Sequence, residues 1–148
     1  GAKLCVSGEG IYVQASVPPK SLGCLRTAPH PGFPTDLQSV ALAVETVGDG
    51  FSVIEETIFE NRFRVVEDLR RMGACIDMRD KKSVLVKGMP ALKGAAVQAR
   101  ELRGGAALVA AGLIARGETL VTGCSFIYRG YENICRDFRE LGARVVSV

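Results

Sequence analysis

An α/β layered domain built from two copies of one β-β-β-α-β-α unit is what this sequence predicts. A Gly-Ala pair recurs at Gly1-Ala2, Gly73-Ala74 and Gly142-Ala143. After each of the first two come two strand-like stretches around a polar turn, a third strand, an apolar helix, a strand and a charged helix, in that order. Self-similarity at a fixed spacing marks a repeated supersecondary unit, and alternation of strands with helices implies sheets packed on helices. No Pro/Ser-rich linker divides the copies, so they are expected to share one core.

In the first copy, over 1–72, Ala2–Ser7 and Gly10–Ala15 read as a hairpin across Gly8-Glu9. Ile11 and Val13 alternate with Tyr12 and Gln14, the period of a half-buried strand. In the second copy, over 73–141, Ala74–Met78 and Ser83–Lys87 flank the charged turn Arg79–Lys82. A third strand falls near Cys24–Thr27 and again near Ala95–Ala99. The first helix of each copy is Thr35–Val47 and Arg103–Ala115. The run from Gly104 to Ala115 is apolar all round, which places that helix inside a core. Strands follow near Phe51–Glu55 and Thr119–Thr122, after Gly48-Asp49-Gly50 and Gly117-Glu118. The second helices, Phe63–Met72 and Glu132–Leu141, are amphipathic: Phe63, Val66, Leu69 and Met72 form one apolar stripe, and Ile134, Phe138 and Leu141 another. Gly73 and Gly142 suit the left-handed position after a helix. Residues 142–148 start a closing strand, with Val145–Val148 as its body.

With 148 residues, 47% of them hydrophobic, the chain can bury a core of its own. The net charge of +3 is small and spread along the sequence, which argues weakly for anionic ligands and against a nucleic-acid stripe. Five cysteines, with no C-x-x-C pair, read as reduced residues filling a cytosolic core rather than disulfides or a metal site. The longest apolar run, Gly104 to Ala115, is too short to span a bilayer. Gly1-Ala2 matches the junction of a helix end and a strand start in the later copies, yet no helix precedes it. The chain is therefore expected to be a piece of a longer protein.

The densest candidate chemistry lies in Arg26-Thr27-Ala28-Pro29-His30-Pro31-Gly32-Phe33-Pro34-Thr35-Asp36-Leu37-Gln38. Three prolines stiffen this loop and remove backbone donors. On one reading Thr35 caps the helix and Asp36 complements its dipole. On the other, Asp36 is a rigidly aimed general base whose pKa rises only when a ligand desolvates it. His30 is read as a turn residue. Arg62 and Arg129 stand at strand-to-helix corners, and Arg103 opens the apolar helix, where Glu101 aligns with Asp36. An Arg at a helix start opposes the dipole. Three guanidiniums converging at helix starts would trap phosphate and carboxylate; taken singly, each is a surface charge paired with a neighbouring Glu.

The segments Thr27–Gln38, Glu56-Thr57-Ile58-Phe59-Glu60-Asn61-Arg62-Phe63, Leu102–Val109 and Arg129-Gly130-Tyr131-Glu132-Asn133 together resemble the C-terminal part of the UDP-N-acetylglucosamine 1-carboxyvinyltransferases, bacterial enolpyruvyl transferases. The resemblance implies an inside-out α/β barrel of β-α-β-α-β-β units, with apolar helices inside and sheets outside. It implies transfer of enolpyruvyl from phosphoenolpyruvate to the 3-hydroxyl of UDP-N-acetylglucosamine by addition–elimination, without cofactor or metal. That step opens peptidoglycan synthesis in the cytoplasm, on which cell wall biogenesis, cell shape and cell division depend. Asp36 matches the general base that contacts the sugar hydroxyl. Ile58 matches the position whose backbone touches the nucleotide sugar. Arg62, Arg103 and Arg129 match the arginines around phosphoenolpyruvate, with Glu101 and Phe59 one layer behind. Glu101 stands where the family has Asp, and Tyr128 precedes Arg129 where the family also has Asp. The partner N-terminal domain and its cysteine-bearing loop have no match here, and none of Cys5, Cys24, Cys75, Cys124 or Cys135 corresponds to that cysteine.

Two other readings compete. One is the sister transferase acting on shikimate 3-phosphate, which the Phe33–Gln38 and Phe59–Phe63 segments oppose. The other is a non-enzymatic repeat that binds an anion or a partner protein. With one unit of the barrel missing, the apolar helix is also expected to be partly bare, which favours self-association. No nucleic acid or membrane partner is expected.

Overall fold

The computed structural model describes residues 2–15 and 18–148; Gly1, which opens the first repeat, lies outside them. Lys3–Ser7 (β1) and Gly10–Gln14 (β2) pair as an antiparallel hairpin. Cys24–Arg26 (β3) follows, then a 3-10 turn over Thr35–Leu37 that runs directly into Gln38–Glu45 (α1). Phe51–Glu55 (β4), a 3-10 turn over Arg62–Val65 and Val66–Arg71 (α2) complete the first copy. The second copy begins with Cys75–Met78 (β5) and Ser83–Lys87 (β6), then the short strands Leu92–Lys93 (β7) and Ala96–Gln98 (β8). Leu102–Ile114 (α3), Ala115–Arg116 (β9), Leu120–Thr122 (β10), a 3-10 stretch over Cys124–Arg129 and Ile134–Glu140 (α4) finish the chain.

The main sheet has the order β3-β4-β6-β5 and draws two strands from each side of Gly73. β3 pairs with β4 in parallel, while β4 with β6 and β6 with β5 are antiparallel. Two smaller parallel pairs, β8 with β10 and β7 with β9, belong to the second copy. α1 packs on β4 and β6, α3 packs on β7 and β10, and the two helices pack on each other. The buried cluster accordingly mixes both copies: Leu42, Ile54, Leu69 and Met72 meet Val84, Val86, Leu92 and Leu108. The α2 stripe of Phe63, Val66, Leu69 and Met72 is buried throughout, because helical spacing puts all four on the face turned to that core. Gly73 and Gly142 take φ of +88° and +91°, the left-handed turn that ends a helix and that a Cβ disfavours.

Glycine also permits the close approach of α3. A Cβ at Gly105 would lie 2.7 Å from Ile127 Cγ1 and 2.9 Å from Ala99 Cβ, too close without movement. The bare backbone there lets the Cys124–Arg129 stretch lie directly on the helix.

Several expectations are corrected. The β1–β2 hairpin is not half-buried: every residue in both strands is exposed, Leu4, Val6, Ile11 and Val13 included, because none of the described residues forms a layer under either face. The cysteines do not fill the core. Cys5, Cys24 and Cys75 are exposed and Cys124 and Cys135 half-buried, all free thiols. Cys24 and Cys75 start the two edge strands of the main sheet, where side chains meet water. The α3 helix is not buried throughout: it is buried from Gly104 to Leu108 and at Ala111, while Leu113 and Ile114 are exposed, in keeping with the expectation that part of it is bare. Leu141 falls at the C-cap of α4, past the turns that pack, and is 82% exposed. Residues 143–148 form no strand, since no described strand edge pairs with them. Among the described residues no helix is long and apolar enough to cross a membrane.

Candidate functional site

The loop after β3 folds back on itself. The Ala28 N–H donates to Phe33 O at 3.0 Å and the Gly32 N–H to Pro29 O at 2.8 Å. A Cβ at Gly32 would sit 2.5 Å from that of Ala28, so the tight return needs glycine. His30 is exposed in this turn. Pro34 occupies the N-cap position of the Thr35–Leu37 turn, with no side-chain cap. Thr35 does not cap the helix, contrary to the plain reading, while Asp36 does lie in the first turn. The Thr35 hydroxyl instead donates to Glu56 Oε2 at 2.8 Å, and the Asp36 side chain is left 55% exposed.

Asp36 meets two guanidiniums. Its Oδ2 accepts from Arg103 Nη2 at 2.8 Å, and its Oδ1 lies 3.4 Å from Arg62 Nη2. The first is a charge-assisted hydrogen bond of ordinary length; the second is looser. Arg62 comes from the turn after β4, entered through Asn61 at φ +59°, a left-handed conformation that asparagine tolerates better than most residues. Its guanidinium also lies 3.7 Å from Glu101 Oε2 and 4.8 Å from the centre of the Phe59 ring, and its Nε is buried without a partner. The hydrogen bond from Arg103 holds the Asp36 carboxyl below the usual carboxylate range, against a smaller opposing effect of burial, with the charges of Arg103 and Arg62 adding to the lowering. The same bond raises Arg103.

Glu101 does something else. It is the N-cap of α3, accepting from the Arg103 N–H at 3.0 Å and from the Gly104 N–H. The Ile58 N–H is engaged by Glu56 at 2.8 Å and the Phe59 N–H by the same oxygen at 3.0 Å, while both side chains are exposed. Arg129 does not join the ion pairs. It is exposed at the end of the Cys124–Arg129 stretch and makes no salt bridge or side-chain hydrogen bond among the described residues. It is nevertheless held near the start of α3: a Cβ on its neighbour Gly130 would lie 2.7 Å from Leu102 Cδ2. The structure thus gathers Asp36, Arg62, Arg103, Glu101 and Phe59, and leaves Arg129 exposed next to Gly130, which lies against Leu102 at the start of α3. No cluster of three or more His, Cys, Asp or Glu side chains able to hold a metal occurs among the described residues.

Sequence reasoning missed Glu56. It is 1% exposed, yet forms no salt bridge among the described residues. Its Oε1 accepts from Thr27 Oγ1 at 3.0 Å and from the Ile58 and Phe59 amides, and its Oε2 accepts from Thr35. Burial pushes this carboxyl up, but the two amides and two hydroxyls outweigh burial and leave it lowered. One signal was present: strand alternation puts Ser52, Ile54 and Glu56 on the same, buried side.

Residues 6–138 match the family described as EPSP synthase (3-phosphoshikimate 1-carboxyvinyltransferase). The chain belongs to the EPSP synthase family. Among curated proteins of known name, it is 46% identical over 145 residues to UDP-N-acetylglucosamine 1-carboxyvinyltransferase of Desulfofundulus thermocisternus, covering 98% of this chain and 59% of that one. It is 41% identical over its whole length to UDP-N-acetylglucosamine 1-carboxyvinyltransferase 2 of Caldanaerobacter subterraneus, covering 35% of that protein. The enolpyruvyl transferase NikO from Streptomyces tendae superposes with a TM-score of 0.80 at 27% identity, over 97% of this chain and 33% of that one. EPSP synthase from Acinetobacter baumannii, at 20% identity and a TM-score of 0.58 over 82% of this chain and 30% of its own, shares the fold. The α/β architecture is therefore that of the enolpyruvyl transferases. The chain spans between about a third and three-fifths of the length of these curated relatives.

Proposed function

We propose that the longer protein carrying this chain transfers the enolpyruvyl group of phosphoenolpyruvate to the 3-hydroxyl of UDP-N-acetylglucosamine, in the cytoplasm, as the opening step of peptidoglycan synthesis. This chain supplies one wall of the cleft, and the missing domain supplies the other, together with the proton donor. The observation that carries the reading is a carboxylate held between two guanidiniums from separate chain corners, Asp36 between Arg103 and Arg62.

That arrangement supports an exchange of partners. The phosphate and carboxylate of phosphoenolpyruvate compete with Asp36 for Arg62 and Arg103, and the free Arg129 adds a third cation. Asp36 then loses the contact that lowers its pKa and becomes basic enough to take the proton of the sugar hydroxyl. The sugar oxygen bonds to the phosphate-bearing alkene carbon of phosphoenolpyruvate as the neighbouring alkene carbon is protonated, giving a tetrahedral phosphate-bearing ketal. Loss of a proton from the new methyl group and departure of inorganic phosphate restore the double bond. Fixed guanidiniums stabilise the charge on the departing phosphate.

Identity to the named carboxyvinyltransferases favours UDP-N-acetylglucosamine as acceptor over shikimate 3-phosphate, which the family's description names. The test is phosphate release by the full gene product with phosphoenolpyruvate and each acceptor in turn. Release with UDP-N-acetylglucosamine and none with shikimate 3-phosphate is expected; the reverse pattern, or release with neither, rejects the reading. The chain alone is expected to be silent, because the reaction needs groups from both walls and the exclusion of water between them.

A further inference from the structure

We propose that Glu56 is the positioning residue that sets Asp36 against Arg62, by tying the turn that carries one to the turn that carries the other. This rests on the function proposed above and extends it to a residue that touches no substrate. Asp36 follows Thr35 in a single 3-10 turn, and the Thr35 hydroxyl donates to Glu56 Oε2 at 2.8 Å. Arg62 lies on the turn that begins with Ile58 and Phe59, whose two amides donate to Glu56 Oε1 at 2.8 and 3.0 Å. The Phe59 ring, fixed by that second bond, sits under the Arg62 guanidinium. Thr27 completes the frame. Its hydroxyl donates to the same Oε1, and its backbone and side chain are zipped to Thr57 by bonds of 2.9 and 2.7 Å.

The chemistry of the arrangement favours positioning over simple packing. Four donors saturate one carboxylate inside the protein, with no cation among them. A carboxylate accepts at both oxygens and donates at neither, so it fixes the direction of every group around it. Stability alone is served as well by apolar side chains of similar volume. By contrast, the Asp36 side chain accepts from no backbone amide among the described residues and meets only the two guanidiniums. The Leu37 N–H to Pro34 O bond and the start of α1 hold the turn itself, and the Thr35 hydroxyl is the tie from it to Glu56.

Thr35 allows a clean test, because it contributes one hydroxyl and is only half-buried. In the full gene product, T35V removes the tether at nearly constant volume and T35S restores it. The expected result is a fall in kcat of about ten- to a hundredfold for T35V, the scale of a misaimed catalytic group. KM for UDP-N-acetylglucosamine should change less than about threefold, Tm should stay within about 3 °C, and T35S should lie within about threefold of the parent. A T35V kcat within twofold of the parent, or equal losses in T35V and T35S, overturns the proposal. An inactive parent would reject the proposed function and leave this inference to a second measurement on the same proteins. The Asp36 carboxyl, followed by carbon NMR, should titrate higher in T35V than in the parent as its contact with Arg103 loosens. An unchanged titration sinks the proposal whether or not the parent turns over.

Discussion

Asp36 and Glu101 occupy matched places in the two copies, each an acid opening the inner helix, and the fold uses them in opposite ways. Glu101 turns inward onto its own helix and accepts the Arg103 and Gly104 amides. Asp36 turns outward, touches no amide and takes guanidiniums from Arg103 and Arg62. The difference starts two residues earlier. Pro34 before Thr35-Asp36 presets the turn and removes a donor, while Thr35 is drawn away to Glu56. One acid is tied to its own helix and the other is left to meet guanidiniums from two separate corners.

The contrast breaks first in activity. In the full gene product, Asp36→Asn is expected to lower phosphate release by about 10²–10⁴-fold, the contribution of a general base. Arg103→Ala, Arg62→Ala and Arg129→Ala should each lose roughly 10²-fold or more. If all three arginine variants turned over like the parent, a non-enzymatic binding module would be the better account. Arg129→Ala is the sharpest of these, since Arg129 has no partner among the described residues whose loss could change stability.

Stability should divide the same residues differently. Glu56→Ala strands buried donors and should cost about 3 kcal/mol in urea unfolding. Glu101→Ala removes a helix cap and should cost about 1 kcal/mol, whereas Asp36→Ala should stay within about 0.5 kcal/mol because an exposed ion pair contributes little. Equal losses at Asp36 and Glu101 would erase the contrast.

The smallest effect is in pH dependence. Asp36 and Glu56 are both lowered in the folded chain, so each adds stability above its unfolded pKa and loses it as pH falls through the folded one. Acid unfolding should therefore steepen below about pH 4. Glu56→Gln should flatten that limb more than Asp36→Asn, as read by unfolding midpoints between neutral and acid pH.

Much of this was legible where the signal is local. The bounds of β4 and β6, the α2 stripe and the glycines at 73 and 142 follow from periodicity and cap chemistry within a few residues. The pairing of β4 with β6 joins residues far apart in sequence, and no local pattern encodes it. Glu56 was hidden for the same reason. Its hydroxyl partners are 29 and 21 residues away, and beside Glu55 it reads as an ordinary charge at a strand end. The hairpin was misjudged because alternation reports only that a strand could be covered, and nothing described covers β1 or β2. Arg62 and Arg103 sit where corner positions suggested, but their shared grip on Asp36 depends on two helix starts meeting in space.

The main sheet joins strands from both sides of Gly73, where the Gly-Ala pair recurs. A gene divided at Gly73 would yield two polypeptides, each holding a two-stranded remnant with a newly bared edge at β4 or β6. Such halves should stay insoluble or unfolded when made separately and recover only when expressed together. The recurring Gly-Ala pair should therefore mark no line along which this chain can be cut.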